Sequence, residues 1–123
     1  MGRGGLLVLL LGIVLGGLGL AQAHAFLERA EPRVGSTIRT PPQVVRLFFT
    51  ERLEPAFSTV RVLNATEQPV DKGDPTVDPS NPQELHVSVA PLGPGRYTVH
   101  WRVLSVDTHV TEGDFTFRVE SGP

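Results

Sequence analysis

Three residues of this chain could together bind a metal ion: His24, Asp107 and His109. Asp107 and His109 are two positions apart in SVDTH (Ser105–His109), directly after a strongly alternating apolar segment. If the chain stays extended there, both side chains point to the interior side of a sheet and can reach a common point. The same spacing also fits an internal hydrogen-bonded pair, which is the default for buried polar groups.

The segment before His24 indicates how this histidine can become a chain terminus. Residues 1–23 contain Arg3, the apolar run Leu6–Leu20 and then Ala-Gln-Ala (Ala21–Ala23), which is the pattern of a secretory signal peptide. The run is shorter than the roughly 20 residues of a membrane-spanning helix. We therefore expect cleavage after Ala23, no stable membrane insertion afterwards, and an exported, periplasmic or otherwise extracytoplasmic product.

With a free amine, His24 would become a chelating ligand. The amine and the imidazole Nδ1 can bind one ion, and His109 and Asp107 would complete a set of three nitrogens and one oxygen. Such a set suits a tetragonal Cu(II) or Ni(II) centre, with Cu(II) highest in affinity. Zn(II) is conceivable but prefers a tetrahedron. Cysteine is absent and the single methionine is Met1, so Cu(I) would lack sulfur ligands.

Two further histidines, His86 and His100, fall on the polar faces of alternating segments. Because neighbours in a strand point to opposite sides, we expect both to be solvated surface residues.

The composition limits the classes of function. Residues 24–123 form one domain rather than two. The whole chain has 11 basic and 13 acidic residues, and no basic patch favours a nucleic-acid partner. Since there is no cysteine, the exported domain must be held by its core alone. We expect a monomer.

The elements that must position these residues are predicted to be β-strands. Period-2 alternation, separated by proline and glycine turns, predicts an antiparallel β-sandwich or barrel. The loop Glu67–Gln83 is too polar and proline-rich for a core strand. The predicted strands are Gln43–Phe49, Ser58–Asn64, Glu84–Ala90, Gly95–Ser105 and Gly113–Glu120.

Three blocks of the sequence resemble the CopC/YobA family of exported copper-binding proteins. HAFLERAEPRVGS (His24–Ser36) resembles the mature start of the family, in which a histidine follows the signal cleavage. PQVVRLFFTE (Pro42–Glu51) resembles its P-x-x-V-x-L-x-F-[ST]-E block, and Gly95–Val119 its terminal block with S-x-D-x-H. The blocks are in order and span nearly the whole mature chain.

The resemblance implies an all-β, Greek-key sandwich or barrel of about seven strands, related to cupredoxin and immunoglobulin-like folds. It also implies one Cu(II) per chain, bound by the His24 amine and imidazole, Asp107 and His109, with Glu51 close to the copper as a supporting residue. Such a protein would sequester copper or deliver it, with a CopD-type inner-membrane importer as a partner. Some members of the family carry a segment rich in methionine and histidine for a separate Cu(I) site. The corresponding loop here, Glu67–Gln83, has neither residue type, so we expect a single Cu(II) site.

The residues also fit two other functions. An N-terminal histidine with a second histidine is similar to the histidine brace of copper monooxygenases. We do not expect an enzyme, because the one Trp and the one Tyr both alternate with core positions and leave no broad aromatic surface for a polymer. The last alternative is a metal-free β-sandwich that serves as an interaction module, in which changes at His24, Asp107 and His109 would have no consequence.

Overall fold

Eight β-strands dominate residues 24–121, the part of the chain that the computed structural model describes. The predicted signal peptide, residues 1–23, lies outside the described residues. Within residues 24–121 no helix is long and apolar enough to cross a membrane. The strands are β1 (Leu27–Glu31), β2 (Thr37–Ile38), β3 (Val44–Phe49), β4 (Thr59–Leu63), β5 (Thr76–Asp78), β6 (Asn81–Ser88), β7 (Gly95–Leu104) and β8 (Val110–Val119).

The strands form two sheets of four, in the orders β1-β3-β6-β5 and β2-β8-β7-β4. All pairings are antiparallel except the short parallel contact between β2 and β8. The predicted all-β sandwich is therefore confirmed, with eight strands in the described residues instead of about seven. The additional helical element is a single 3₁₀ turn at Pro55–Phe57.

Alternating apolar residues from both sheets fill the space between them. In β3, Val45, Leu47 and Phe49 are buried, while the residues between them are half-buried on the outer face. From the other sheet, Trp101 packs edge-on against Phe49, with ring centroids 5.1 Å apart. Burial of each large apolar side chain contributes about 1.5–3 kcal/mol, and the chain has no cysteine to add a covalent link.

The predicted loop Glu67–Gln83 is partly strand, which corrects the prediction. It contains β5 and the first residues of β6. Asp78 makes the turn between them, because its Oδ1 accepts hydrogen bonds from the Ser80 amide and hydroxyl, both at 2.8 Å. Val77 is the buried residue of β5. A strand of three residues is too short to show a period in the sequence.

The end of the β7–β8 hairpin also differs from the prediction. The chain does not stay extended after β7 but turns between Ser105 and His109, with Thr108 at a φ of 76°. Asp107 and His109 consequently do not point to the interior side of the sheet. They lie on the exposed rim of the sandwich, with side chains 39% and 45% exposed.

Candidate metal centre

The β7–β8 turn is organised around Ser105, which is fully buried. The Ser105 hydroxyl donates a short hydrogen bond to Asp107 Oδ1. The Ser105 amide donates to the His109 carbonyl at 3.0 Å, and the Thr108 amide donates to the Ser105 carbonyl at 2.8 Å. These bonds fix the backbone of the turn and the direction of the Asp107 carboxylate.

Asp107 and His109 lie side by side, but on the exposed rim and not on the interior side that their spacing predicted. His109 Nδ1 lies 3.5 Å from Asp107 Oδ1. The hydrogen bond from Ser105 is the main cause that holds the pKa of Asp107 below its ordinary value, and His109 adds to this effect while burial opposes it. The carboxylate is therefore in its charged, metal-binding form at neutral pH.

His24 reaches the same rim from the other end of the described chain. Its ring stacks on the ring of His109, with centroids 4.5 Å apart and an angle of 24° between the planes. The Phe26 ring lies 6.0 Å from the His24 ring. Residues that are 85 positions apart in the sequence thus place two imidazoles side by side on the surface.

Two threonines hold the backbone that follows His24. Thr111 Oγ1 donates to the carbonyl of Ala25 at 2.7 Å, and Ala25 itself is fully buried. The Phe26 amide donates to Thr50 Oγ1 at 2.9 Å, while the Thr50 amide donates to the Phe26 carbonyl at 2.9 Å. The position of His24 is thereby tied to the end of β3 and the start of β8.

Glu51 directly follows Thr50 and is half-buried. Within residues 24–121, no hydrogen bond or ion pair joins Glu51 to His24, Asp107 or His109. Glu51 is therefore adjacent in sequence to Thr50, which contacts the segment after His24, and among the described residues it is not bonded to a predicted ligand.

The three predicted ligands are neighbours whose donor atoms do not yet converge. In the described part of the chain, the group of three ligand atoms within 4.8 Å of one another belongs to Asp78, Glu84 and His86 instead. The stacked rings of His24 and His109 would have to turn about their side-chain torsions to direct nitrogen atoms at one ion.

The other two histidines differ from each other. His100 is 47% exposed and lies 3.7 Å from Asp114, so the prediction of a surface histidine is confirmed. For His86 the prediction is wrong, because its side chain is only 24% exposed and its Nδ1 is buried. The unpredicted strand β5 lies beside His86, because its residue Thr76 is paired with His86.

Comparison with known proteins gives the family. The family model of the CopC domain matches residues 27–120, most of the described chain. The chain belongs to the CopC family. Protein YobA of Escherichia coli strain K12 is 33% identical over 99 residues, which cover 80% of each chain. Copper resistance protein C of Xanthomonas campestris pv. juglandis is 35% identical over 106 residues, 81% of this chain and 83% of the relative.

A solved structure agrees with this membership. The crystal structure of CopC from Methylosinus trichosporium OB3b superposes with a TM-score of 0.72 at 34% identity, covering 81% of this chain and 97% of that one. The resemblance to the CopC/YobA family is confirmed, and membership gives this CopC-family chain a copper-related role.

Sequence reasoning missed the residues that support the predicted ligands. Ser105, Thr50 and Thr111 each hold the site through a hydroxyl. Thr50 and Ser105 stand in the [ST]-E and S-x-D-x-H motifs, but the motifs gave them no role, and Thr111 is an ordinary strand residue whose type carries no signal. Their positions beside Asp107, Glu51 and the β8 start are the signal that could have found them.

Proposed function

We propose that this CopC-family protein, after cleavage before His24, binds one Cu(II) ion and sequesters or delivers it in copper homeostasis. The ligands are the His24 amine and imidazole, the Asp107 carboxylate and the His109 imidazole. The observation that carries the proposal is the contact of the His24 and His109 rings at 4.5 Å, beside a carboxylate 3.5 Å from His109.

The chemistry of the donor set supports Cu(II) as the cargo. Three nitrogens and one carboxylate oxygen suit a tetragonal centre, and Cu(II) has the highest affinity of the divalent first-row ions for such ligands. The described residues contain no sulfur ligand, since the chain has no cysteine and its one methionine is Met1, before the proposed cleavage. A set without sulfur serves Cu(I) poorly.

The surroundings fit a holding site. The hydroxyls of Thr50 and Thr111 keep the backbone after His24 in place, and Ser105 orients Asp107. Residues that orient ligands in this way raise affinity without contacting the ion. Glu51 would be a further supporting residue of this kind, since it directly follows Thr50.

Binding and release are favoured over catalysis. Four protein donors would fill the equatorial plane of Cu(II), which leaves no strong position for oxygen or a substrate. The exposed position of Asp107 and His109 gives a partner protein direct access to the ion. From the family resemblance, we infer that the partner is a CopD-type inner-membrane transporter, and that the protein works as an exported monomer in the periplasm or another extracytoplasmic space.

The amine ligand is tested by adding one glycine before His24. The His24 nitrogen then becomes an amide, so it loses its lone pair as a donor. Since loss of a supporting partner costs about 10- to 100-fold in metal affinity, loss of a direct donor should cost about 100-fold or more. A competition titration with a Cu(II) chelator measures the change, and a glycine added after Pro123 is the control. An unchanged affinity together with an unchanged Cu(II) EPR spectrum would exclude the amine as a ligand, because a new chelate that used the added glycine would change the spectrum.

A further inference from the structure

A second cluster of metal-ligating side chains lies on the outer face of the β1-β3-β6-β5 sheet. Glu84 and His86 are two positions apart in β6, and Asp78 is the last residue of the neighbouring β5. His86 is paired across the sheet with Arg46 of β3 on one side and Thr76 of β5 on the other. The cluster shares no residue with the predicted copper site.

One ligand atom from each of Asp78, Glu84 and His86 lies within 4.8 Å of the other two. These side chains are already gathered, whereas those of His24, Asp107 and His109 must turn. Asp78 and His86 are half-buried, and Glu84 is buried with 7% of its surface exposed. The donors are therefore partly shielded from water and lie on rigid strands.

The main evidence for a bound ligand is the environment of His86 Nδ1. It is buried, and no group in the described residues forms a hydrogen bond with it. Glu84 Oε2 is 3.3 Å away but does not have the geometry of a hydrogen bond, and the same oxygen accepts a bond from Arg46 Nη1 at 2.5 Å. Since buried polar atoms are normally paired, a buried Nδ1 that lacks a hydrogen bond in the described residues, in a cluster with the carboxylates of Asp78 and Glu84, points to a cation as its ligand.

We propose that Asp78, Glu84 and His86 form a second metal site, one for Zn(II). Imidazole nitrogen and carboxylate oxygen are both zinc ligands, and three protein ligands with one water make a four-coordinate centre. Two carboxylates balance the charge of the ion, and the Arg46 guanidinium keeps its bond to Glu84 or moves toward solvent. The sequence predicts one Cu(II) site. The proposed Zn(II) site is additional to it and binds a different ion.

The experiment uses the protein with one glycine added before His24 and with His109→Ala, because these two changes remove the amine and one imidazole of the predicted copper site and leave the second cluster intact. Titration with Zn(II) in a calorimeter should give one bound ion per chain. His86→Gln should weaken binding at least about tenfold, the lower end of what loss of even a supporting group costs. The matched control is His100→Gln, a strand histidine beside the single carboxylate of Asp114.

A second variant and a second measurement protect the test from a folding defect. Asp78→Asn keeps an oxygen for the Ser80 amide and hydroxyl but loses the charge, so it should fold and still bind Zn(II) at least about tenfold more weakly. In long-range ¹H–¹⁵N spectra, the His86 Nδ1 resonance should shift on addition of Zn(II), while the His100 resonances stay. No bound Zn(II), or equal loss in His86→Gln and His100→Gln, would overturn the proposal.

Failure here and failure of the copper proposal have different signatures. The copper proposal fails if the glycine extension leaves Cu(II) affinity and the Cu(II) EPR spectrum unchanged, whereas the zinc proposal fails if His86→Gln leaves Zn(II) binding to the doubly changed chain unaltered.

Discussion

Ser105 positions the turn that carries Asp107 and His109, two of the proposed copper ligands. Its buried hydroxyl donates to the Asp107 carboxylate, while its backbone amide and carbonyl close the turn to His109 and Thr108. One residue therefore sets both the direction of a ligand and the path of the chain that carries the next ligand. The side chains of Asp107 and His109 nevertheless remain partly exposed, so an ion can reach them.

A second single residue, Asp74, makes the fold sensitive to acid. Its Oδ1 accepts a hydrogen bond from the Ser88 amide at 2.9 Å, and this bond is the main cause that lowers the pKa of Asp74. A carboxyl with a lowered folded pKa contributes stability that is fully present above the unfolded pKa of about 4. That contribution is lost as the pH falls through the lower, folded pKa.

We therefore predict that Asp74→Asn lowers the free energy of unfolding of the metal-free protein at pH 7 and that the difference from the wild type shrinks at acid pH. Urea unfolding at neutral and at acid pH measures both values. The carboxyl ¹³C resonance of Asp74 should also titrate below the usual aspartate range. An equal loss of stability at both pH values would contradict the assigned cause.

At the scale of elements, the site depends on the contact between the start of the described chain and β8. Thr111 is the second residue of β8, and its hydroxyl bond to the Ala25 carbonyl at 2.7 Å ties His24 to the strand that follows His109. The β7–β8 hairpin and the segment before β1 are thus held in one arrangement. We expect the distance between the two histidine rings to depend on that bond.

We predict that Thr111→Val, which keeps the shape of the side chain and removes the donor, lowers Cu(II) affinity about 10-fold, as expected for an outer-shell partner. Thr111→Ser retains the hydroxyl and should restore most of the affinity. Chelator competition gives the affinities, and thermal unfolding of the metal-free variants shows whether the fold is intact. Equal affinity in Thr111→Val and the wild type would show that the bond does not position His24.

The elements also show what the sequence can predict. Long strands with a clear period, such as β3 and β7, were predicted within one residue or two, because alternation of buried and exposed side chains is written in their residue types. The strands β1, β2 and β5 were missed. In β1 only Ala30 is buried, β2 has two residues and β5 has three, so none of them provides a periodic signal.

The same limit applies to the sites. Asp107 and His109 could be named from their types and spacing, but not the turn that brings them to the surface, because it depends on the buried Ser105 and the positive φ of Thr108. The cluster of Asp78, Glu84 and His86 could not be predicted, since it needs the pairing of β5 with β6.

At the scale of the whole molecule, the proposed copper ligands come from opposite ends of the described chain. His24 precedes β1 in one sheet, and His109 lies in the hairpin of the other sheet. An ion bound by both residues would join the two sheets at one end of the sandwich. It would do so in a protein that has no disulfide to perform that task.

We predict that Cu(II) raises the thermal stability of the chain that begins at His24. A ligand present at about 1,000 times its Kd adds about 4 kcal/mol to the free energy of unfolding, which corresponds to a rise in melting temperature of about 16–32 °C for a domain of this size. His109→Ala, a change at a half-exposed position, should fold and lose most of the rise. His100→Gln should keep it. A rise of equal size in His109→Ala would place the copper elsewhere.

The central claim is tested most directly by native mass spectrometry of the protein exported by the cell, after addition of one equivalent of Cu(II). The account predicts a chain that begins at His24 and retains one copper ion. A chain that begins at another residue, or one that begins at His24 and retains no copper, would contradict it.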